Sequence, residues 1–400
     1  MVRGRLIFAA AWLASAAGAH AQTADGRLDI EIGKNLFDRT WISAPASTKA
    51  DDGLGPLSDA SSCLACHPAD TPYRAPGGSI HPGIVIRLGS ASGRADPVYG
   101  VQLQTRGVRD VAPEVRPDIS WTEAGGLRAV ALTLVRLGYG PLAPETRAAL
   151  RRAPNVAGIG LLARVPETEI LTREIAPETG DGISGRPAWI ADLAAGRVLG
   201  RFGWRASQPT LTSQTEAAFS SDLGLSTSGR PVPWGECSEA QTACRSAPHG
   251  AEPGEPEISD AMRDLIVKYL ESVPPPPLVP PGTPGARIFD EIGCSACHAV
   301  LRLADGTPVP AYTDLLLHDM GPGLNDGIKE GAAEPGEWRT APLWGLSATL
   351  KLGGLLHDGR APDVKQAIEW HDGEAARSRE AFRALSQGDM AALLAFLDGL

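Results

Sequence analysis

The chain has 400 residues, of which 43% are hydrophobic and 21% are charged, and its formal net charge is −10. This length can bury more than one core and indicates two domains. The acidic balance argues against a nucleic-acid-binding protein and weakly favours small or basic partners.

Residues 1–21 have the pattern of an export signal. A short basic stretch, MVRGR, precedes an apolar run that is too short to span a membrane comfortably, and Ala19-His20-Ala21 fits an A-x-A cleavage site. We therefore expect a mature chain that begins near Gln22 and resides in the bacterial periplasm, with no transmembrane segment after cleavage. The alternative is an uncleaved signal anchor.

The rest of the sequence contains two unequal copies of one arrangement. GKNLFDR at 33–39 resembles GARIFDE at 285–291, and each predicts a short amphipathic helix ahead of a cysteine motif. Each copy closes with a helix of apolar periodicity, at 258–273 and at 386–400. Two further pairs of similar segments occur in the same order, at 151–162 and 339–346 and at 203–211 and 358–366.

A proline-rich segment at 274–285 separates the two copies and predicts a stiff, extended linker. We therefore predict a first domain at 22–273 and a second domain at 286–400. An apolar stretch at 130–142 indicates a strand pair inserted into the first domain.

Each copy carries one CxxCH motif, the attachment signal for c-type haem. The first consists of Cys63, Cys66 and His67, and the second of Cys294, Cys297 and His298. The thiols add to the haem vinyl groups and the histidine ligates the iron. The alternatives are a redox pair, which needs no following histidine, or half of a zinc site. We predict two covalently bound haem c groups in a mainly α fold of two cytochrome c-like haem domains, the first with a β-containing insertion.

The other two cysteines, Cys237 and Cys244, are seven positions apart in a loop rich in Gly, Ser and Pro. In an oxidising compartment such a pair is expected to form a disulfide, here with a structural role.

The sixth iron ligand separates an electron carrier from a site that binds a small oxidant. His371 shares one helical face with Val364, Ala367 and Ile368, which suits a haem ligand but also a hydrogen-bonded core histidine. Met320 is the plausible thioether alternative.

The corresponding helix of the first copy, at 210–225, contains no His, Met, Cys or Lys. It offers Gln214, Glu216 and Asp222, which are poor iron ligands but good distal groups, because a carboxylate can move a proton between the two oxygens of a peroxide. This asymmetry predicts one closed haem and one open haem.

Several segments, among them YTDLLLHDMGPGL at 312–324, EWRTAPLWGL at 337–346 and LLHDGRA at 355–361, resemble the bacterial di-haem cytochrome c peroxidase superfamily. The similarity is greatest to its di-haem oxidoreductase branch, sometimes labelled thiol oxidoreductases, and it covers most of the mature chain. The resemblance implies His371 as the second-haem ligand. It also implies Trp204 as a relay between the haems, although a buried interface aromatic is the alternative.

The resemblance also implies Gln214 and Asp222 as distal groups, although Asp stands where Glu is usual and the spacing is two residues short. The resemblance also suggests that His81 covers the open haem in the resting oxidised state. The alternative is that His81 is a solvated histidine in a loop. Arg205 and Arg360 would pair with haem propionates, or else would be surface charges that cap helices. A Ca²⁺ ion would be held by carbonyls near Thr340 and Pro342.

The expected function is reduction of hydrogen peroxide or another small oxidant at the first haem, with electrons delivered through the second by a small redox protein or a quinol-linked donor. The alternatives are an electron-transfer cytochrome without catalysis, or oxidation of an organic or protein substrate.

Overall fold

The structure is a computed structural model that describes residues 24–48, 51–68, 83–175, 182–277 and 282–400. The predicted export signal and His81 lie outside the described residues. Within these ranges, no helix is long and apolar enough to cross a membrane.

The helices include long amphipathic ones and several single turns. In chain order they are α1 (Ala24–Asp38), α2 (Cys63–Cys66), α3 (Ile159–Arg164), α4 (Glu167–Leu171), α5 (Leu211–Asp222), α6 (Thr242–Arg245), α7 (Asp260–Ser272), α8 (Pro284–Glu291), α9 (Leu346–Lys351), α10 (Val364–Glu369), α11 (Ala376–Arg383) and α12 (Gln387–Asp398).

The strands are mostly short. They are β1 (Ile42–Ser43), β2 (Asp52–Leu54), β3 (Leu57–Ser58), β4 (Ile84–Gly89), β5 (Gln102–Leu103), β6 (Arg106–Gly107), β7 (Val115–Ala124), β8 (Leu127–Leu137), β9 (Arg147–Arg152), β10 (Trp189–Asp192), β11 (Gly196–Leu199), β12 (Leu301–Arg302), β13 (Pro308–Val309), β14 (Leu317–Asp319) and β15 (Glu337–Arg339). They form two-stranded sheets, apart from one three-stranded sheet in the order β5-β4-β9.

The expected mainly α fold of two cytochrome c-like domains is wrong. The structure is 30% helix and 21% strand, and its sheets are not confined to one insertion, because β12–β15 lie after the linker. The predicted strand pair does occur as the antiparallel hairpin of β7 and β8, which begins well before residue 130. The sequence did not predict these strands because many of them are short pairings within loops. Such segments are too short to show a period of two in the sequence.

The repeated segments form equivalent helix pairs. Gly33 in α1 is pressed against α7, so that an added Cβ would lie 2.0 Å from the carbonyl oxygen of Leu265. Gly285 in α8 meets α12 in the same way, 2.2 Å from the carbonyl oxygen of Ala392. A glycine is therefore needed at each crossing, because any side chain would force the helices apart.

The shorter repeats also fold alike. Gly158 and Gly345 both precede a short helix with left-handed backbone, at φ 66° and 72°. Thr210 and Asp363 both cap the following helix, each accepting a hydrogen bond from a backbone N–H three residues on. These matching caps place α5 and α10 at corresponding positions in the two halves, which are residues 24–273 and 286–400. The boundaries of the two predicted domains stay a prediction.

Candidate functional site

The two CxxCH motifs each form a single turn of helix. His67 donates its backbone N–H to the Cys63 carbonyl at 2.9 Å, and His298 does the same to Cys294 at 3.0 Å. The turn places the histidine beside both cysteines of its motif. Next to each histidine lies the aromatic ring of the helix before it, with Phe289 6.4 Å from His298 between ring centroids.

Both motif histidines have one ring nitrogen fixed by the backbone. Nδ1 of His67 donates to the Pro154 carbonyl at 2.9 Å, and Nδ1 of His298 donates to Tyr312 at 2.9 Å. Burial lowers the pKa of both, for His298 to about 4. Each ring is therefore neutral, with Nε2 unprotonated and available to a metal ion.

In the second half, His371 faces His298. Their ring centroids are 6.4 Å apart, and Nδ1 of His371 donates to the Ala367 carbonyl at 2.7 Å. Two imidazoles bound to opposite faces of one metal ion have ring centres about 6 Å apart, because each metal–nitrogen bond is about 2 Å long. The pair therefore fits one iron ion between them. Met320, the alternative ligand, follows β14 and donates its backbone N–H to Gly336.

In the first half, a cavity of about 330 Å³ lies beside Cys63, Cys66 and His67. Its size is within the range of small-molecule sites. Gln214 and Asp222 of α5 line it, as does Trp204. The structure thus brings three side chains predicted from the sequence together around one motif, and the cavity fits a bound group there.

Asp222 ends α5 and is held in a polar network. The Nε2 atom of Gln102 donates to Asp222 and to Asp59, at 2.9 Å in each case. Burial raises the pKa of Asp222, and it raises the pKa of Asp59 to about 7 against hydrogen bonds from Thr105 that lower it. Asp222 lines the cavity and shares the Gln102 amide with Asp59, and burial favours the protonated form of both carboxyl groups.

Glu216, the third polar group of α5, has a different role. It accepts a hydrogen bond from Arg263 of α7 at 2.9 Å and also lies against Gly229. This ion pair joins α5 to α7 away from the cavity.

Trp204 lies where the two halves meet. Its Nε1 donates to the Arg152 carbonyl at 2.6 Å, and its ring is edge-on to His357, with centroids 6.5 Å apart. His357 in turn stacks on Trp338, with centroids 3.7 Å apart and planes 9° from parallel. Three rings, two of them from the second half, therefore form a continuous aromatic column beside the first-half cavity.

The two arginines predicted to pair with propionates contact protein atoms. Arg205 is fully buried, pairs with Asp326 at 2.9 Å and lies over the Trp338 ring at 3.6 Å. Arg360 pairs with Asp358 at 2.7 Å. The propionate role of both stays a prediction.

Two other arginines line the cavity without a carboxylate partner among the described residues. Arg152 donates to the Gly354 carbonyl, and Arg339 donates to the carbonyls of Gly203 and Thr340. Burial lowers the pKa of each to about 10. A buried cation is costly unless an anion pairs with it, so this part of the wall suits an anionic group.

The Thr340 carbonyl accepts hydrogen bonds from Thr313 at 2.6 Å and from Arg339 at 3.0 Å. A Ca²⁺ ion at this carbonyl would have to displace a cationic guanidinium, and Pro342 lines the cavity instead.

A disulfide joins Cys237 and Cys244.

A buried histidine lies next to the second motif. His318 is bonded to Asp314 at 2.9 Å and to Glu374 at 2.8 Å, and its Nδ1 is 3.6 Å from the Cys297 sulfur. Burial lowers its pKa, but hydrogen bonds with these three partners raise it to about 12 overall. His318 is therefore an imidazolium held between two carboxylates.

The sequence analysis missed the partners of the predicted residues. Asp59 lies only four positions before Cys63, which was a usable signal. Gln102 and Glu236 reach the site from distant segments, and no local pattern marks them, whereas His357 lies in the LLHDGRA segment.

Comparison with known proteins gives one strong result. Residues 142–400 match the family described as "di-haem oxidoreductase, putative peroxidase". A search of curated proteins finds no significant match. A similar solved structure is hydrazine synthase from Kuenenia stuttgartiensis, pressurised with xenon. It is 17% identical over 43% of this chain and 65% of that chain, with a TM-score of 0.25.

The family match extends over more than half of the chain and includes α5, the Trp204 column and the whole second half. This chain therefore belongs to the di-haem oxidoreductase family.

Proposed function

We propose that this protein reduces hydrogen peroxide in the bacterial periplasm, at its first-half site. Electrons would come from a small redox protein or a quinol-linked donor through the second-half site. Cys63 and Cys66 would attach one haem covalently, and Cys294 and Cys297 the other. Bound there, the two haem groups supply one-electron chemistry and an iron ion that can bind a small oxidant.

The observation that carries this proposal is the difference between the two halves. His371 faces His298 at a distance that suits two ligands of one iron ion. Beside His67, the corresponding helix α5 has no such ligand and borders a cavity instead. A closed site suits electron transfer, whereas an open one leaves room for a substrate.

The side chains of α5 suit a peroxide. Burial favours the protonated form of Asp222, which can give a proton to a leaving oxygen. Its orientation is fixed by the hydrogen bond from Gln102. Gln214 lines the same cavity and offers an amide that can hold the second oxygen.

The aromatic column supports the proposed electron route. Trp204 borders the first-half cavity, and its ring lies edge-on to His357, which belongs to the second half. We assign the relay to Trp204. We also assign Arg152 and Arg339 to the haem propionates, because these cations line the cavity without a carboxylate partner among the described residues.

The experiment compares Asp222→Asn with wild type, using the purified holoprotein. We expect the reaction with hydrogen peroxide, followed by stopped-flow absorbance, to slow by about 10²–10⁴-fold, as is typical when acid–base assistance is lost. Cyanide binding to the oxidised protein should change far less, because an iron–anion bond depends little on a proton donor. Asp118→Asn is the matched control, since Asp118 is exposed on β7.

The outcomes separate the alternatives. A wild-type protein that neither reacts with peroxide nor binds cyanide is an electron carrier, and the proposal fails. If peroxide reacts and Asp222→Asn behaves like wild type, the open site stands but the role of Asp222 does not.

A further inference from the structure

We propose that Glu236 is a second acid–base residue of the first-half cavity, which donates one of the two protons that peroxide reduction consumes. This inference rests on the proposed function. In the balanced reaction, H₂O₂, two electrons from the reduced donor protein and two protons give two water molecules as the O–O bond breaks. One carboxyl group can donate one proton before it must be reprotonated. Asp222 therefore accounts for only one of the two protons.

The backbone around Glu236 brings its carboxyl group to the cavity. Gly235 lies against the end of α5, where an added Cβ would be 3.1 Å from the Ser220 carbonyl oxygen and 3.1 Å from the Cα of Gly224. On its other side, the Oε2 atom of Glu236 is 3.5 Å from the position of a Cβ on Gly100. Glu236 therefore lies between the end of α5 and the segment before β5, and it lines the same cavity as Asp222.

One carboxyl oxygen of Glu236 has no partner. Its Oε2 atom is buried and forms no hydrogen bond among the described residues. Buried polar atoms nearly always have a hydrogen-bond partner, so an orphan in a cavity wall points to a ligand or water in that cavity. A carboxyl group with one free oxygen is suited to give a proton to a bound peroxide or to take one from water.

The charges around Glu236 come from several elements. Burial raises its pKa and Asp222 adds to this, whereas Arg87 and Arg230 act in the opposite direction. Glu114 is a further carboxyl neighbour, because Glu236 contributes to raising its pKa. The net shift favours the protonated carboxyl, which is the form that the proposal requires.

The disulfide gives the position of Glu236 a physical cause. Cys237 follows Glu236 directly and is bonded to Cys244, which is fully buried. The next residue, Ser238, donates its hydroxyl to the Val98 carbonyl at 2.6 Å. These two restraints hold the carboxyl group against the cavity, so the disulfide would also serve to position Glu236.

The test uses the holoprotein with Glu236→Gln, and with Glu239→Gln as the matched control, because Glu239 is exposed in the same disulfide loop. Stopped-flow rates with hydrogen peroxide are measured from about pH 5 to about pH 9. We expect Glu236→Gln to react at least about tenfold more slowly and to show a different pH profile from wild type, because the ionisation of Glu236 no longer contributes and that of Asp222 remains. Glu236→Asp should restore part of the rate and the wild-type pH dependence, and cyanide binding should be unchanged.

If wild type reacts with peroxide while Glu236→Gln keeps its rate and pH profile, the role of Glu236 is overturned and the proposed function survives. If wild type does not react with peroxide at all, the proposed function itself is overturned.

Discussion

Gly285 is a position where one added methyl group should disturb the second-half site. An added Cβ would lie 2.2 Å from the Ala392 carbonyl oxygen and 2.5 Å from the Cβ of Phe396, whereas ordinary contacts begin at 3.4 Å. The crossing of α8 and α12 would therefore have to widen by about 1 Å. Overpacking costs about 1–3 kcal/mol, and the upper end applies here because the obstacle is helix backbone.

We expect Gly285→Ala to lower the free energy of unfolding by about 3 kcal/mol. At roughly 2–4 °C per kcal/mol for a unit of this size, the melting temperature should fall by roughly 6–12 °C. Because α8 also carries Phe289, which contacts His298, the absorbance of the second haem should change as well. Thermal unfolding followed by circular dichroism measures the first effect, and haem absorbance measures the second.

Gly388→Ala is the control, because it places the same methyl group on α12. Its nearest neighbour would be the Ser386 hydroxyl at 3.8 Å, and alanine is the better helix former by about 0.5–1 kcal/mol. This variant should be as stable as wild type or slightly more so. Equal stability of Gly285→Ala and wild type would refute the close crossing of the two helices.

Four further predictions concern the sites. Pyridine haemochrome assay should find two haem groups per chain, both resistant to acid–acetone extraction, and one group per chain would contradict covalent attachment at both motifs. His371→Ala should convert the second haem from low-spin to high-spin in electron paramagnetic resonance, unless Met320 is the ligand. Trp204→Phe should keep both haem spectra but slow electron transfer between them, and an unchanged rate would leave Trp204 as packing. His318→Gln should lower the free energy of unfolding most between about pH 4.5 and 6.5. The raised pKa of His318 gives the wild type stability that is lost as pH rises, and the lowered pKa of Glu374 gives it stability that is lost as pH falls.

Local signals in the sequence were enough to find both motifs and their surroundings. The repeat of GKNLFDR and GARIFDE predicts α1 and α8, and the structure adds the reason for its glycines, which lie at the helix crossings. The terminal helices also lie where apolar periodicity places them, at Asp260–Ser272 and Gln387–Asp398. These features depend on residues that are close in the chain, so a single sequence carries them.

The fold class and the cavity wall depend on contacts between distant residues. Strands of two or three residues, such as Leu301–Arg302, are too short for a periodic pattern. The Gln102 amide meets Asp222 across 120 positions of the chain. Such pairings are set by tertiary packing, and no local propensity predicts them.

Several polar groups in or beside the cavity come from segments that only the first half contains, whereas Arg339 comes from the second half. Phe37 precedes Cys63 by 26 positions, whereas Phe289 precedes Cys294 by five, and Asp59 lies in the extra segment. Gln102 belongs to the strands inserted after the motif, and Glu236 to the disulfide loop that follows α5. Without these insertions, His371, two residues after the end of α10, faces His298 of the second motif. The extra length of the first half therefore has a chemical consequence, because it adds the Gln102 amide and the Glu236 carboxyl group to the cavity wall.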